Sequence, residues 1–243
     1  TFPDVNLNVG ASCVKLGMLD SARYYFEREK LYNPQRVKAY ANMASLYLIN
    51  GQYDSAIAQA QFVLACRPYD VTANIILLRS AYEMQEIDND SLAFLAAHAA
   101  ENTGDDVYLL NEAAVMLTQR GALEHAESLL LKALVAKPPP IETDDEAFSP
   151  VFRNSSQNWE KQRASAYNQL GYINGLRGNY YEAVRYSSLA IQTDSNLVEA
   201  YVNLISGFLS TGQLPKADSV LTIALQKFPT NQHLNQLHEY LEK

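Results

Sequence analysis

The side chains best suited to nucleophilic, acid–base or metal chemistry are few and scattered. The four histidines are His98, His125, His233 and His238, and none has a Cys or His neighbour at the spacing a tetrahedral zinc site needs. Cys13 and Cys66 stand 53 positions apart, too far for a local metal-ligand motif and too few for a disulfide framework. Both are expected to be free and mostly buried thiols. "GYING" (Gly171 to Gly175) has no Ser and is not a nucleophile elbow. The acidic pair Asp144/Asp145 sits in a polar, Pro-containing stretch and reads as solvated. No phosphate-cradling loop occurs, because the glycines recur about 34 residues apart instead of clustering. Nothing assembles an acid, a base and a nucleophile, so the chain is expected to be non-enzymatic and to need no cofactor or metal.

The chain has 243 residues, 48% hydrophobic and 19% charged, an ordinary composition for a soluble globular protein. No stretch approaches 18 uninterrupted apolar residues, so no membrane insertion is expected. A net charge of −8 argues against a general nucleic-acid binder, which would cluster Lys and Arg against phosphates. Protein partners fit better. The chain opens on Thr1 and is expected to be a processed or excised segment, so a missing targeting signal carries no information.

The glycines lead to the elements. "GQYDSAIAQAQFVLACRP" (Gly51 to Pro68) has counterparts in "GMLDSARYYFEREKLYNP" (from Gly17), "GALEHAESLLLKALVAKP" (from Gly121) and "GQLPKADSVLTIALQKFP" (from Gly212). Each opens on Gly, has Ala five residues on, and closes on Pro. Ahead of Gly51, Tyr40, Met43, Ala44 and Tyr47 fall at i, i+3, i+4 and i+7, one face of a helix. Ala56, Ala60, Val63 and Leu64 repeat that pattern behind it. The unit is helix, Gly turn, helix, Pro stop: Gly supplies a left-handed cap, Ala permits close approach of two helices, and Pro ends the second. Six units fit. Their turn glycines are Gly17, Gly51, Gly121, Gly178 and Gly212, missing in the third; their close-contact residues are Ala22, Ala56, Leu92, Ala126, Ala183 and Ala217.

This period and pattern resemble the tetratricopeptide repeat (TPR) family over roughly residues 4–230. The resemblance implies an all-α, right-handed superhelical solenoid of antiparallel helix pairs. Repeats one to four are expected over 1–137, an insertion loop with an extended helix start over 138–163, repeats five and six over 164–230, and a capping helix over 231–243, all in one continuous domain. In that last segment Leu234, Leu237 and Leu241 share a face. The third repeat, without Gly or Pro and with about two extra residues in its turn, is expected to be the least regular.

The same resemblance implies a concave groove lined by the first helix of each repeat. On the exposed side of those helices we expect Asn8, Asn42, Asn111, Asn168, Gln169 and Asn203, whose amides offer donor and acceptor to a peptide backbone. Tyr82, Tyr108 and Tyr172 are placed to take its side chains, and Lys38 and Arg79 favour an acidic segment. The family's carboxylate clamp is not expected, since Leu7, Ala11, Thr72 and Ile76 occupy its positions and only Asn42 fits. Phe148, Phe152 and Trp159 in the Pro/acidic insertion make a second candidate interaction surface. Asp-Ser-apolar triplets begin at Asp20, Asp54, Asp90 and Asp218. Three of the four coincide with the start of a second helix and read as N-terminal caps, with Asp54 and Ser55 capping the helix after Gly51. They also look like an O-glycosylation sequon of extracytoplasmic bacterial proteins, which slightly favours a periplasmic or surface location over the cytoplasm. The expected function is a non-catalytic protein–protein interaction scaffold; the alternative is a targeting or regulatory domain excised from a larger enzyme or membrane-anchored protein.

Overall fold

A computed structural model describes residues 5–85, 87–137 and 159–241. Among these residues every regular element is a helix. The chain divides into two compact units. The first contains α1 (Val5–Lys15), α2 (Leu19–Tyr32), α3 (Val37–Ile49), α4 (Tyr53–Cys66), α5 (Val71–Met84), α6 (Asn89–Asn102) and α7 (Val107–Gln119). The second contains α8 (Leu123–Val135), α9 (Trp159–Leu176), α10 (Tyr180–Thr193), α11 (Val198–Ser210), α12 (Leu214–Lys227) and α13 (Gln232–Leu241).

The Gly turns work as their residue types require. Gly51 has φ 67°, a left-handed conformation that costs glycine nothing. It lets the Gln52 N–H reach back to the Tyr47 carbonyl at 2.9 Å and close the C-terminus of α3. The same bond recurs from Met18 to Cys13, from Asn179 to Asn174 and from Gln213 to Phe208.

In the third repeat Gln85 takes the left-handed position, with φ 57°. The two extra residues are shared out. One lengthens α5 to 14 residues against 13 for α3, and one lengthens the turn to 85–88 against 50–52. The next repeat braces this turn. Arg120 donates from Nη1 to the Ile87 carbonyl at 2.7 Å and from Nη2 to the Tyr82 carbonyl at 2.8 Å, and its guanidinium lies 5.1 Å from the Tyr82 ring centre.

Where Pro follows a second helix, the residue before it has left the helical region, which proline's ring disfavours there: Arg67 has φ −139° and ψ 82°. After α6 there is no Pro. There the chain reverses through two left-handed residues, Gly104 and Asp105, and the Asp105 N–H bonds to the Ala100 carbonyl at 2.8 Å.

The Asp-Ser triplets are not the caps, which corrects the sequence reading. Gln52 precedes α4 without a side-chain capping bond, and Asp54 and Ser55 lie inside the first turn. Met18 stands likewise before α2. The tight Gly turn leaves these residues near ψ 60°, not in the extended geometry from which a side chain reaches the first N–H groups. Three of the four-residue connections end on an Asp with ψ above 100°, and there Asp70, Asp88 and Asp106 accept from the N–H groups of Ala73, Ser91 and Leu109. Asp218 and Ser219 sit within α12, where Ser219 Oγ donates to the Pro215 carbonyl at 2.8 Å.

The close-contact Ala positions are all buried, with Leu92 filling the same role in the third repeat. Glu29, where later repeats have Val or Ala, is also buried; its Oε1 accepts from Asn33 Nδ2 at 2.8 Å. In the second unit Leu234 of α13 is buried among Tyr201, Ile205, Ala217, Leu221 and Ala224, and Leu237 and Leu241 pack beside it. This covers the apolar face that α11 and α12 leave open. Cys13 and Cys66 are both free, but Cys66 is exposed as the last residue of α4, which corrects the expectation of two buried thiols.

Candidate functional site

The residues expected to line a groove lie on first helices, and these abut within each unit. In the first unit α3 packs against α1 and α5, and α5 against α7; in the second, α9 packs against α11. That side-by-side packing changes the fate of the Asn positions. Asn42, Asn111 and Asn168 are only 2%, 4% and 7% exposed, so they do not lie on an open face as the sequence reading had them. The position falls where neighbouring first helices meet, and the adjacent helix covers it. Asn8 alone among these amides is exposed; Gln169 and Asn203 are half-buried.

Asn42 is the extreme case. Neither its Oδ1 nor its Nδ2 has a hydrogen-bond partner, although both are buried. Leu7, Ala11 and Ile76 are buried as well, so most positions of a carboxylate clamp are core, with Thr72 half-buried.

The charged and aromatic candidates of the first unit are engaged with their neighbours. Arg79 pairs with Glu112 of the next first helix, Nε to Oε2 at 3.0 Å. Tyr82 Oη donates to Gln119 Oε1 at 2.8 Å while Arg120 covers its ring. Lys38 and Tyr108 are half-buried at the starts of α3 and α7. Glu112, Gln119 and Arg120 were not picked out from sequence. Their signal was the period itself: Arg79 and Glu112 are 33 residues apart, about one repeat.

The second unit presents an open set. Asn203 Nδ2 donates to Asn168 Oδ1 at 2.9 Å, joining α11 to α9. Tyr172 on α9 is 45% exposed, with the exposed Leu176 one turn further along. Trp159 is the first residue of α9, which at 18 residues is longer than the other first helices, and the Arg163 guanidinium lies 4.6 Å from its ring centre. Phe148 and Phe152 lie outside the described residues.

Chemistry of another kind has little to work with. No group of three His, Cys, Asp or Glu that would hold a metal ion occurs among the described residues. A cleft of about 230 Å³ between α4, α5 and α6 is walled by Leu64, Pro68, Leu77 and Leu95, with Asn74 and His98 among its polar edges. His98 faces Asn102, not an acid. No helix among the described residues is long and apolar enough to cross a membrane.

The burial of Asp70 and Asp106 raises their carboxyl pKa above the ordinary value, despite the N–H groups they cap. Hydrogen bonds from Ser91 lower that of the exposed Asp88.

Helix pairs of about 34 residues, Gly-turned and packed first helix to first helix, define the tetratricopeptide repeat fold, and this chain has it. No family model and no curated relative matches the sequence. Solved structures do. PilW, described as a widely conserved type IV pilus biogenesis factor, is similar with a TM-score of 0.65 at 13% identity, over 96% of this chain and 97% of that one. The Cut9–Hcn1 hetero-tetramer of the APC/C gives 0.62 at 17% identity, over 98% of this chain but only 42% of that one. YrrB, described as a TPR protein with an unusual peptide-binding site, gives 0.55 at 15% identity, over 88% and 97%. At such identities the likeness is one of fold.

Proposed function

We propose that the chain is a non-catalytic interaction scaffold that binds an extended segment of a partner protein along its first helices. The observation that carries this reading is the Asn168–Asn203 pair beside the exposed Tyr172. The pair uses one N–H of Asn203 and the carbonyl of Asn168. The carbonyl of the half-buried Asn203 makes no other hydrogen bond among the described residues. Held in place by that bond, the Asn203 carbonyl is an acceptor for the N–H of a peptide unit whatever its side chain. Tyr172 and Leu176 offer apolar surface to a side chain next to that unit. The peptide-binding site named for YrrB, on the same fold, supports the reading. In the first unit Arg79 and Tyr82 would act mainly by holding adjacent first helices in register.

The test is to select binders for the whole chain from a randomised linear peptide library. The best peptide is then titrated against wild type, Tyr172→Ala, Asn203→Ala and, as a control on another helix face, Arg185→Gln. Losses of about tenfold for the first two variants, with the control unchanged, are expected for a buried aromatic contact and a peptide hydrogen bond. Equal affinity for all four proteins would remove the first-helix site.

A further inference from the structure

The third repeat alone has leucine at its close-contact position. Leu92 is buried there, and α5 and α6 come together less closely than α1 and α2, α3 and α4, α9 and α10 or α11 and α12. A side chain larger than Ala between two helices sets their axes apart. Beside this loosened pair lies the cleft of about 230 Å³ between α4, α5 and α6. Leu64, Leu77 and Leu95, which wall it, are only half-buried, so the chain's own side chains do not fill it. No Lys, Arg, Asp or Glu lines it among the described residues. A charged group entering would lose water without gaining a counter-charge, so the space suits a neutral one.

One polar group at the wall is incomplete. Asn74 lines the cleft at 3% exposure, and its Nδ2 donates to the carbonyls of Pro68 at 3.1 Å and Asp70 at 2.9 Å. Those two acceptors use both N–H bonds and fix which end of the amide is nitrogen. Its Oδ1 accepts no hydrogen bond among the described residues. An amide oxygen left so inside a protein is stabilised by any donor that reaches it. At the rim the His98 ring is stacked on the exposed Phe94, with 6.5 Å between ring centres.

We infer that this cleft takes the indole ring of a tryptophan from a segment of a partner protein. About 150 Å³ of leucine-lined space holds one benzene, and the cleft has about half as much again, the ratio of indole's ring atoms to benzene's. Indole is neutral, and its one polar group is an N–H that donates and does not accept. That is the complement of a wall whose free group is an acceptor. A leucine would fill less of the space and leave Asn74 Oδ1 unbonded, and the single ring of a tyrosine also fills less. Phe94, just beyond the rim, gives apolar contact to the residue next to the tryptophan, which a free indole would not use.

The probe is N-acetyltryptophanamide, titrated into the whole chain carrying carbon-13-labelled leucine methyls and followed by NMR. Saturable shifts are expected at Leu64, Leu77 and Leu95, the ring's neighbours. The analogue methylated on the indole nitrogen, and N-acetylleucinamide, are each expected to bind about fivefold more weakly or worse. Leu95→Gln, at a half-buried wall position, is expected to lose a similar factor, while Tyr172→Ala keeps wild-type affinity. The two analogues need no variant, so they give the answer even if Leu95→Gln melts. The inference is overturned if those leucine methyls do not shift or if the methylated analogue binds as tightly. It is equally overturned if free indole binds more tightly than the amide, which would make the cleft a small-molecule site. Loss of binding in Tyr172→Ala would put the ring at the first-helix site and overturn the cleft alone.

Discussion

The ring of Phe26 occupies the space that a side chain on Gly10 would need: a β-carbon there would lie 2.4 Å from the ring's Cε1. Phe26 is fully buried, in a core with Leu7, Cys13, Ala22, Ala39, Met43 and Leu46. The first helix pair is therefore set by a glycine on α1 and an aromatic on α2 that fit only together. Gly10→Ala is expected to cost about 1–3 kcal/mol through overpacking, against the small gain Ala brings to a helix interior. Phe26→Leu should lose stability on the wild-type background but much less on the Gly10→Ala background. Urea denaturation of the four proteins measures the cycle, and simple additivity would rule out the clash.

Arg120 offers a second test. Replacing it with Met keeps the apolar stem over Tyr82 but leaves the Tyr82 and Ile87 carbonyls without their charged donor. A loss of about 1.5–3 kcal/mol is expected. Amide exchange should accelerate first in the turn at 85–88, and uniform acceleration across α1–α4 would contradict this assignment.

Asn42 predicts a gain. A buried amide with neither atom bonded costs about 1–3 kcal/mol in desolvation, and a leucine of similar volume removes that cost. Asn42→Leu should therefore raise the melting temperature. A lower one would mean that the amide has a partner in solution, such as an ordered water.

The capping aspartates should separate by pH. Asp70 and Asp106 have folded-state pKa values raised by burial, so their stabilising contribution is complete below the unfolded value of about 3.8 and is lost as pH rises through the folded value. Asp70→Asn and Asp106→Asn should accordingly be more stable than wild type at pH 7, with the gain gone near pH 3. Asp88 is depressed, so its contribution is present above the unfolded value and lost as pH falls through the folded one. Asp88→Asn should lose stability at pH 7 and not at low pH. Denaturation curves at the two pH values decide; the same sign for all three variants would refute the assignment.

The helix pairs were legible because the residues that shape them act locally. Gly51 needs only its own φ, Pro68 only its predecessor, and Ala56 only the helix one turn away in sequence. The binding residues were less legible for a physical reason. Whether Asn42 faces solvent depends on how closely α3 sits to α1 and α5, and the periodicity of α3 alone cannot encode that spacing. The Asp-Ser triplets misled similarly: Asp is a good cap only where the preceding turn leaves the backbone extended, and the Gly turns do not.

Nearly every contact described is made with the next helix or the one after it. Leu234 is the only buried residue of α13, and it rests on the α11–α12 pair. Such a chain has no single keystone. Opening can begin at α13 and stop there, since few distant residues are tied to it. The exposed residues of one repeat can likewise diverge over generations while the turn geometry of the others stays intact, so new partners can be acquired one repeat at a time.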